Sequence, residues 1–234
     1  MSITLTLDGI RCFSTPQTAN VRPLTVLVGE NSSGKTTFLA AARIASCLLS
    51  RSPRRIDFNE SPFALGAFAQ IVTASNLGAT ARKNFTIKLN GPNRVSIVAR
   101  FMQKDGHPAI STFGIRRGAS GLVISPNGSN SVSIRYRGPV GGEFPDKLVQ
   151  LSGDSIGAQA WHLIGALSFA AEAPEFSAMA HGFATIESLF GSSHFAFAPM
   201  RTSPKRTYDP ISSEPEPEGS HVPMHLARLA RSKK

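Results

Sequence analysis

The sequence predicts an α/β fold: a strand, a glycine loop and a helix near the N-terminus, then an antiparallel β meander, then helices toward the C-terminus. Three observations carry that expectation. The apolar, β-branched run "PLTVLV" (Pro23 to Val28) leads into a glycine-bearing loop, and "TTFLAAARIASCLLS" after the loop holds no Gly or Pro until Pro53. Between Asn84 and Arg137, short β-rich runs alternate with separators containing Gly, Pro, Asn or Asp. Farther on, "AQAWHLIGALSFAAEA" (158–173) and "GFATIESLF" have helix-forming composition.

Taken in order, "ITLTL" at 3–7 alternates as an edge or early strand does, and Asp8-Gly9 supplies a turn. "PLTVLV" reads as a buried strand, and the helix behind the glycine loop runs to about Leu49. "SPRRIDFNESPFALGAFAQIV" (52–72), with its prolines and glycines, reads as a loop with one short helical turn. The runs "FTIKLN", "RVSIVARFM", "STFGI", "GLVIS" and "SVSIRYR" predict a five-stranded meander inserted in the nucleotide fold. "HFAFAPM" reads as a strand returning to the core, "RTSPKRTYDPISSEPEPEGS" as irregular chain, and "VPMHLARLARSKK" as a final helix. The expected organisation is a nucleotide-binding lobe at 1–83, an antiparallel β subdomain at 84–140, and a helical segment with returning strand and loop-helix at 141–234.

At 234 residues the chain is long enough for a sizeable core, and 41% hydrophobic with 17% charged residues describes a globular rather than a disordered protein. No apolar run reaches the roughly 20 residues of a membrane span, and the N-terminus lacks a signal-peptide layout. Cys12 and Cys47 read as buried thiols rather than a disulfide, which suits the cytoplasm. The formal charge of +10 is the outlier. It points toward a nucleic-acid partner, but the basic residues are dispersed along the chain ("RSPRR", "RYR", "RTSPKR", "RLARSKK"), whereas a binding face needs them clustered.

The loop itself spells Gly-x-x-x-x-Gly-Lys-Thr from Gly29 to Thr36, the phosphate-binding pattern. Gly29 and Gly34 permit the backbone curl, Glu30, Asn31, Ser32 and Ser33 form its span, and the N–H groups of Ser33 to Thr37 point into it at a helix N-terminus. Lys35 is the residue expected to reach the β and γ phosphates, and the Thr36 hydroxyl the one expected to ligate Mg²⁺. The cofactors so predicted are ATP and Mg²⁺.

The opening "LDGIRCF" followed by "LTVLVGENSSGKTTFLAA" resembles the N-terminal lobe of ABC-type heads in the SMC, RecF and OLD-like group of AAA-type ATPases. The meander is similar to the antiparallel subdomain of those heads. Residues 198–229 resemble a "PxRxxPxRxY … PEGxHxPxxLAR" segment of bacterial ATPases in the group, with Arg201 and Arg206 at its arginine positions. The resemblance implies a P-loop NTPase fold and an operon context of defence against phage or mobile elements. It also implies head dimers or homo-oligomers around ATP, gating an effector such as a nuclease, with DNA as a further partner. It places Arg11 where such heads contact the nucleotide, although Gly9-Ile10 replace the family's Asn-Phe, and Gln70 where they place a Mg²⁺- and water-sensing glutamine.

The group's signature loop, Walker B strand and switch His have no clear counterpart. Of the six aspartates (Asp8, Asp57, Asp105, Asp146, Asp154 and Asp209), none after the glycine loop ends an apolar strand, as a Mg²⁺-holding carboxylate requires. "LSGDS" (151–155), "ALSFAAEAP" (166–174) and "DSIG" (154–157) imitate a signature loop, a Walker B strand and a GTPase element, but position, helical propensity and the lack of a guanine-reading Asn-Lys-x-Asp argue against each. Two readings follow. One is an ATPase head whose hydrolysis needs a C-terminal lobe or partner. The other is a non-hydrolysing, nucleotide-sensing interaction protein with a basic partner- or DNA-binding face. A small-molecule kinase shares the loop but has no support from an acidic pair or an arginine lid.

Overall fold

The computed structural model describes residues 3–49, 56–60, 62–73, 82–126, 131–137, 147–150 and 174–190. Its frame is one eight-stranded antiparallel sheet. The strands are β1 (Ile3–Asp8), β2 (Gln17–Val21), β3 (Asn84–Asn90), β4 (Val95–Lys104), β5 (His107–Arg117), β6 (Ser120–Pro126), β7 (Ser131–Arg137) and β8 (Lys147–Gln150). Their spatial order is β2-β1-β3-β4-β5-β6-β7-β8. Among the described residues three α-helices accompany them: α1 (Lys35–Leu49), the single turn α2 (Phe68–Ile71) and α3 (Pro174–Phe190).

The alternation in the sequence becomes an inward and an outward face. Leu5 and Leu7 of β1, Phe85, Ile87 and Leu89 of β3, and Ile97, Ala99 and Phe101 of β4 are buried, while their sequence neighbours point away. Ala41, Ile44, Ala45 and Leu48 of α1 and Met179, Phe183 and Ile186 of α3 complete the same core. A period near 3.6 on the helices meets a period of 2 on the strands, so one apolar layer serves both. At one end Phe85 stacks on Phe101 with ring centroids 4.9 Å apart, and Phe58 meets both rings edge-on. Asp105 and Gly106, both at positive φ, make the tight β4–β5 turn that two-residue hairpins favour.

The five predicted meander runs are β3 to β7, and β5 extends well beyond "STFGI" because its bulged register with β4 continues to the hairpin turn. β1 pairs with β3, so the meander and the N-terminal hairpin share one sheet. β2 and β8 add strands that the sequence pattern did not announce: β2 reads as polar "QTANV" and owes its extended form to pairing with β1. The "GFATIESLF" helix is part of α3. The predicted helix at 158–173, the returning strand "HFAFAPM", Arg201, Arg206, the irregular segment, the final helix and the "LSGDS" and "DSIG" segments lie outside the described residues.

Two expectations are corrected. Pro23–Val28 is not a buried strand: Leu24 is 82%, Val26 73% and Val28 91% exposed. Both edges of β1 are occupied, by β2 and β3, and Pro23 lacks an N–H, so the segment has no neighbouring strand among the described residues. Its apolar, β-branched composition specifies extended backbone but cannot by itself supply a partner. Cys12 is not buried either; it is exposed in the β1–β2 connection, and Cys47 on α1 is half-buried, with neither in a disulfide. No described helix is long and apolar enough to cross a membrane.

Candidate functional site: the glycine loop at the start of the first helix

Gly29 to Gly34 run directly into α1. Ser32 sits at φ 66° and Gly34 at φ 93°, so the chain turns through the left-handed region just before the helix begins. The first helical bond is donated by the Phe38 N–H to the Gly34 carbonyl at 2.8 Å. The N–H groups of Lys35, Thr36 and Thr37 therefore precede the helical ladder and have no intrahelical acceptor. Together with the helix dipole they make the loop a place for an anion.

Lys35 reaches back across this turn. Its Nζ donates to the carbonyls of Gly29 at 2.7 Å and Glu30 at 2.6 Å, while the Glu30 carbonyl also accepts from the Ser33 N–H at 3.2 Å. The ammonium thus lies over the loop, held by neutral oxygens that phosphate oxygens would outcompete, because a hydrogen bond between two charged groups is the stronger one. Glu30, Asn31, Ser32, Ser33 and Thr36 are exposed, and Thr37 is buried, so Thr37 can contribute its N–H but not its hydroxyl to a ligand. Gly29 is a close approach: a Cβ there would stand 2.7 Å from the Ser33 Oγ.

The β1–β2 connection forms a wall beside the loop. A Cβ on Gly34 would stand 2.6 Å from the Cys12 Sγ and 2.9 Å from the Phe13 ring. Arg11 adjoins this wall at φ 46°, and its guanidinium is bonded to the segment around α2: Nη2 donates to the Leu65 carbonyl at 2.9 Å, and Nε approaches the Gln70 carbonyl at 3.4 Å. The Gln70 side-chain oxygen accepts from the Ala67 N–H at 2.9 Å, closing the first turn of α2. The two residues that the family likeness singled out are therefore brought together, each through bonds to backbone groups. Further bonds tie this corner down, from the Arg11 N–H to the Ile71 carbonyl, from the Thr73 N–H to the Gly9 carbonyl and from the Thr73 hydroxyl to the Arg11 carbonyl. Arg82 clamps the other side, with Nη1 on Asp8 Oδ1 at 2.8 Å and Nη2 on the Ser14 carbonyl at 2.7 Å.

Sequence reasoning missed Cys12, Phe13, Thr73 and Arg82. Thr73 and Arg82 lie some sixty to seventy positions from the residues they hold, and no spacing rule links them.

The donor set suits a polyphosphate. For a divalent cation, Thr36 Oγ1 is the exposed protein oxygen at the helix start, and no group of three His, Cys, Asp or Glu among the described residues gathers to hold a metal. A Mg²⁺ ion there would depend on phosphate oxygens and water for most of its shell, an arrangement that ion commonly adopts. No protein-family model and no curated protein matches the chain.

Proposed function

We propose that the chain is an ATP-binding ATPase head of the P-loop type. The observation that carries this reading is the loop geometry: Gly-x-x-x-x-Gly-Lys-Thr at the start of a fifteen-residue helix, with the Lys35 ammonium across the loop and the N–H groups of Lys35, Thr36 and Thr37 ahead of the first intrahelical bond. In this reading the N–H groups of the first turn bind the phosphates, Lys35 neutralises their charge, and Thr36 holds Mg²⁺, which polarises the terminal phosphoryl group when bound.

Hydrolysis in this proposal is completed by a C-terminal lobe or a partner. Val26 and Val28 support that part. An apolar segment of this kind, with no strand beside it among the described residues, has the character of a central strand in a parallel sheet, and here Leu24, Val26 and Val28 are exposed as it feeds the loop. Pairing of Leu24–Val28 with strands from another lobe would bury it and could bring carboxylates to the phosphates. Head-to-head assembly, an effector such as a nuclease, an anti-phage or DNA-maintenance role and a cytoplasmic location belong to the same proposal, resting on the family likeness.

The test is nucleotide binding and turnover by the purified chain over a range of protein concentrations, with Lys35→Ala in parallel. Mg²⁺-dependent ATP binding, weakened by about 10- to 100-fold in the variant, is expected, with little turnover by the chain alone. Absence of ATP binding by the wild-type chain would sink the proposal. Turnover independent of Lys35 would show that the chemistry lies elsewhere. The non-hydrolysing alternative predicts binding with no turnover at any concentration or with any partner lobe.

A further inference from the structure

The side of the sheet away from α1 and α3 has a composition of its own. Strands β3 to β6 carry Lys88, Arg100, Lys104, Arg116 and Arg117 and no Asp or Glu. Lys88, Arg100 and Arg116 share the outward face, because they alternate with the buried Ile87, Leu89, Ala99, Phe101 and Ile115. Arg100 and Arg116 are exposed and Lys88 is half-buried. Among the described residues none of the three is in an ion pair.

Strand register sets their spacing. Lys88 stands opposite Val98, Arg100 opposite Thr112 and Arg116 opposite Ser96. Lys88 and Arg116 are therefore two strands and two residues apart, about 12 Å at the usual strand spacing and rise. Between Arg100 on one side and Arg116 on the other runs a shallow apolar strip of Val98, Gly114 and Val123, each opposite the next. Both valines are half-buried, and no aromatic ring stands among the outward positions of these strands.

The chain holds a segment of complementary charge. Of its fifteen acidic residues, Glu214, Glu216 and Glu218 fall within five positions of "SSEPEPEGS" (212–220), which lies outside the described residues. No other five consecutive positions hold three. By sequence, Pro215 and Pro217 disfavour a helix and hold Glu214 and Glu216 to extended backbone. At the roughly 3.1 Å rise of a polyproline II chain, Glu214 and Glu218 are about 12 Å apart, the separation of Lys88 and Arg116. Proline rings are compact and apolar, as the strip between the arginines requires. Residues 191–213 join this segment to the end of α3, a reach of up to about 75 Å when fully extended, so the outer face is accessible to it.

We propose that the outer face around Lys88, Arg100 and Arg116 is the docking surface for the chain's own acidic segment 212–220. The glutamates pair with the three cations, and Pro215 and Pro217 lie on Val98, Gly114 and Val123. Exposed ion pairs are individually weak and screened by salt. Tethering on one chain raises the effective concentration of the segment, which favours it over a free acidic partner. Docking ties the C-terminal part of the chain to the meander, and it holds whether or not the glycine loop binds nucleotide.

The experiment is zero-length carbodiimide cross-linking of the purified full chain without nucleotide, mapped by mass spectrometry. The expected product is an amide between Lys88 Nζ and the carboxyl of Glu214, Glu216 or Glu218, with a yield that falls about threefold or more between 50 mM and 1 M salt. Arg100→Glu/Arg116→Glu keeps Lys88 as the reporter and is expected to lower the yield about tenfold, since like charges then face each other. Adding Glu214→Lys/Glu218→Lys swaps the charges on both sides and should restore the link between Lys88 and Glu216. Thermal unfolding shows that both variants fold. A link confined to Lys205, no link at low salt, or no recovery on the charge swap would overturn the proposal. In an equal mixture of ¹⁵N-labelled and unlabelled chain, linked peptides should carry a single isotope, and mixed pairs would overturn the assignment to the same chain in favour of a second copy.

Discussion

Gly34 and Cys12 are in contact across the mouth of the glycine loop: a side-chain carbon on Gly34 would lie 2.6 Å from the Cys12 sulfur. With φ at 93°, Gly34 is also in a conformation that L residues rarely adopt. Gly34→Ala therefore meets two separate obstacles. We expect it to cost about 1–3 kcal/mol of stability from backbone strain alone and to abolish ATP binding. Adding Cys12→Ala relieves the contact with the sulfur but leaves the Phe13 ring at 2.9 Å and the strain, so the double variant should recover part of the melting temperature and none of the binding. Full recovery of both would show that the contact, not the backbone, sets the requirement for glycine.

Lys35 should separate binding from folding. Its ammonium bonds only to loop carbonyls on the surface of the site, so Lys35→Ala is expected to shift stability by less than about 0.5 kcal/mol. Loss of a charged hydrogen bond to phosphate predicts an affinity for ATP weaker by about 10- to 100-fold. Calorimetric titration beside a thermal melt reads both quantities. A large fall in melting temperature would mean that the lysine supports the loop itself.

Gly182 sets two effects against each other. In the interior of α3, Gly→Ala should gain about 1 kcal/mol of helix propensity. A Cβ at Gly182 would however stand 2.4 Å from Val95 Cγ2 and 2.7 Å from its Cβ, and Val95 is fully buried. Overpacking of that kind costs about 1–3 kcal/mol, so Gly182→Ala should be net destabilising in a urea melt. Gly182→Ala/Val95→Ala should relieve only the 2.4 Å contact, because the Cβ of residue 95 stays at 2.7 Å, so the double variant is expected to remain destabilised. If the single substitution stabilises the protein, α3 does not dock on β4 as described.

The stacked rings of Phe85 and Phe101 anchor the sheet at its α2 end. Phe101 is fully buried, and Phe101→Ala is expected to cost about 3–5 kcal/mol, read as a lower urea midpoint at unchanged m-value.

Val26 and Val28 give the opposite expectation. Because they are exposed, Val26→Thr/Val28→Thr should leave stability within about 0.5 kcal/mol while lowering self-association in sedimentation velocity at high concentration. A melting temperature lower by many degrees would place these residues in a packed sheet.

Local physics made much of this protein legible in its sequence. Alternating residues separated by Gly, Pro and Asn turns defined β3 to β7, because side-chain period and turn chemistry are properties of neighbouring residues. The glycine loop and its helix were legible for the same reason, since Gly29, Gly34, Lys35 and Thr36 act within one turn of chain.

What the tertiary structure decided were relations between distant residues. Only pairing with β1 made a strand of polar Gln17–Val21, while apolar Leu24, Val26 and Val28 are exposed with no adjacent edge among the described residues. Only the fold set Cys12 and Phe13 against Gly34 and joined Arg11 to the Gln70 carbonyl. The same holds for charge: Lys88, Arg100 and Arg116 are dispersed along the chain, and it is the strand register that lays them on one face. Composition fixes how many cations there are, but the field they make together depends on where the backbone places them.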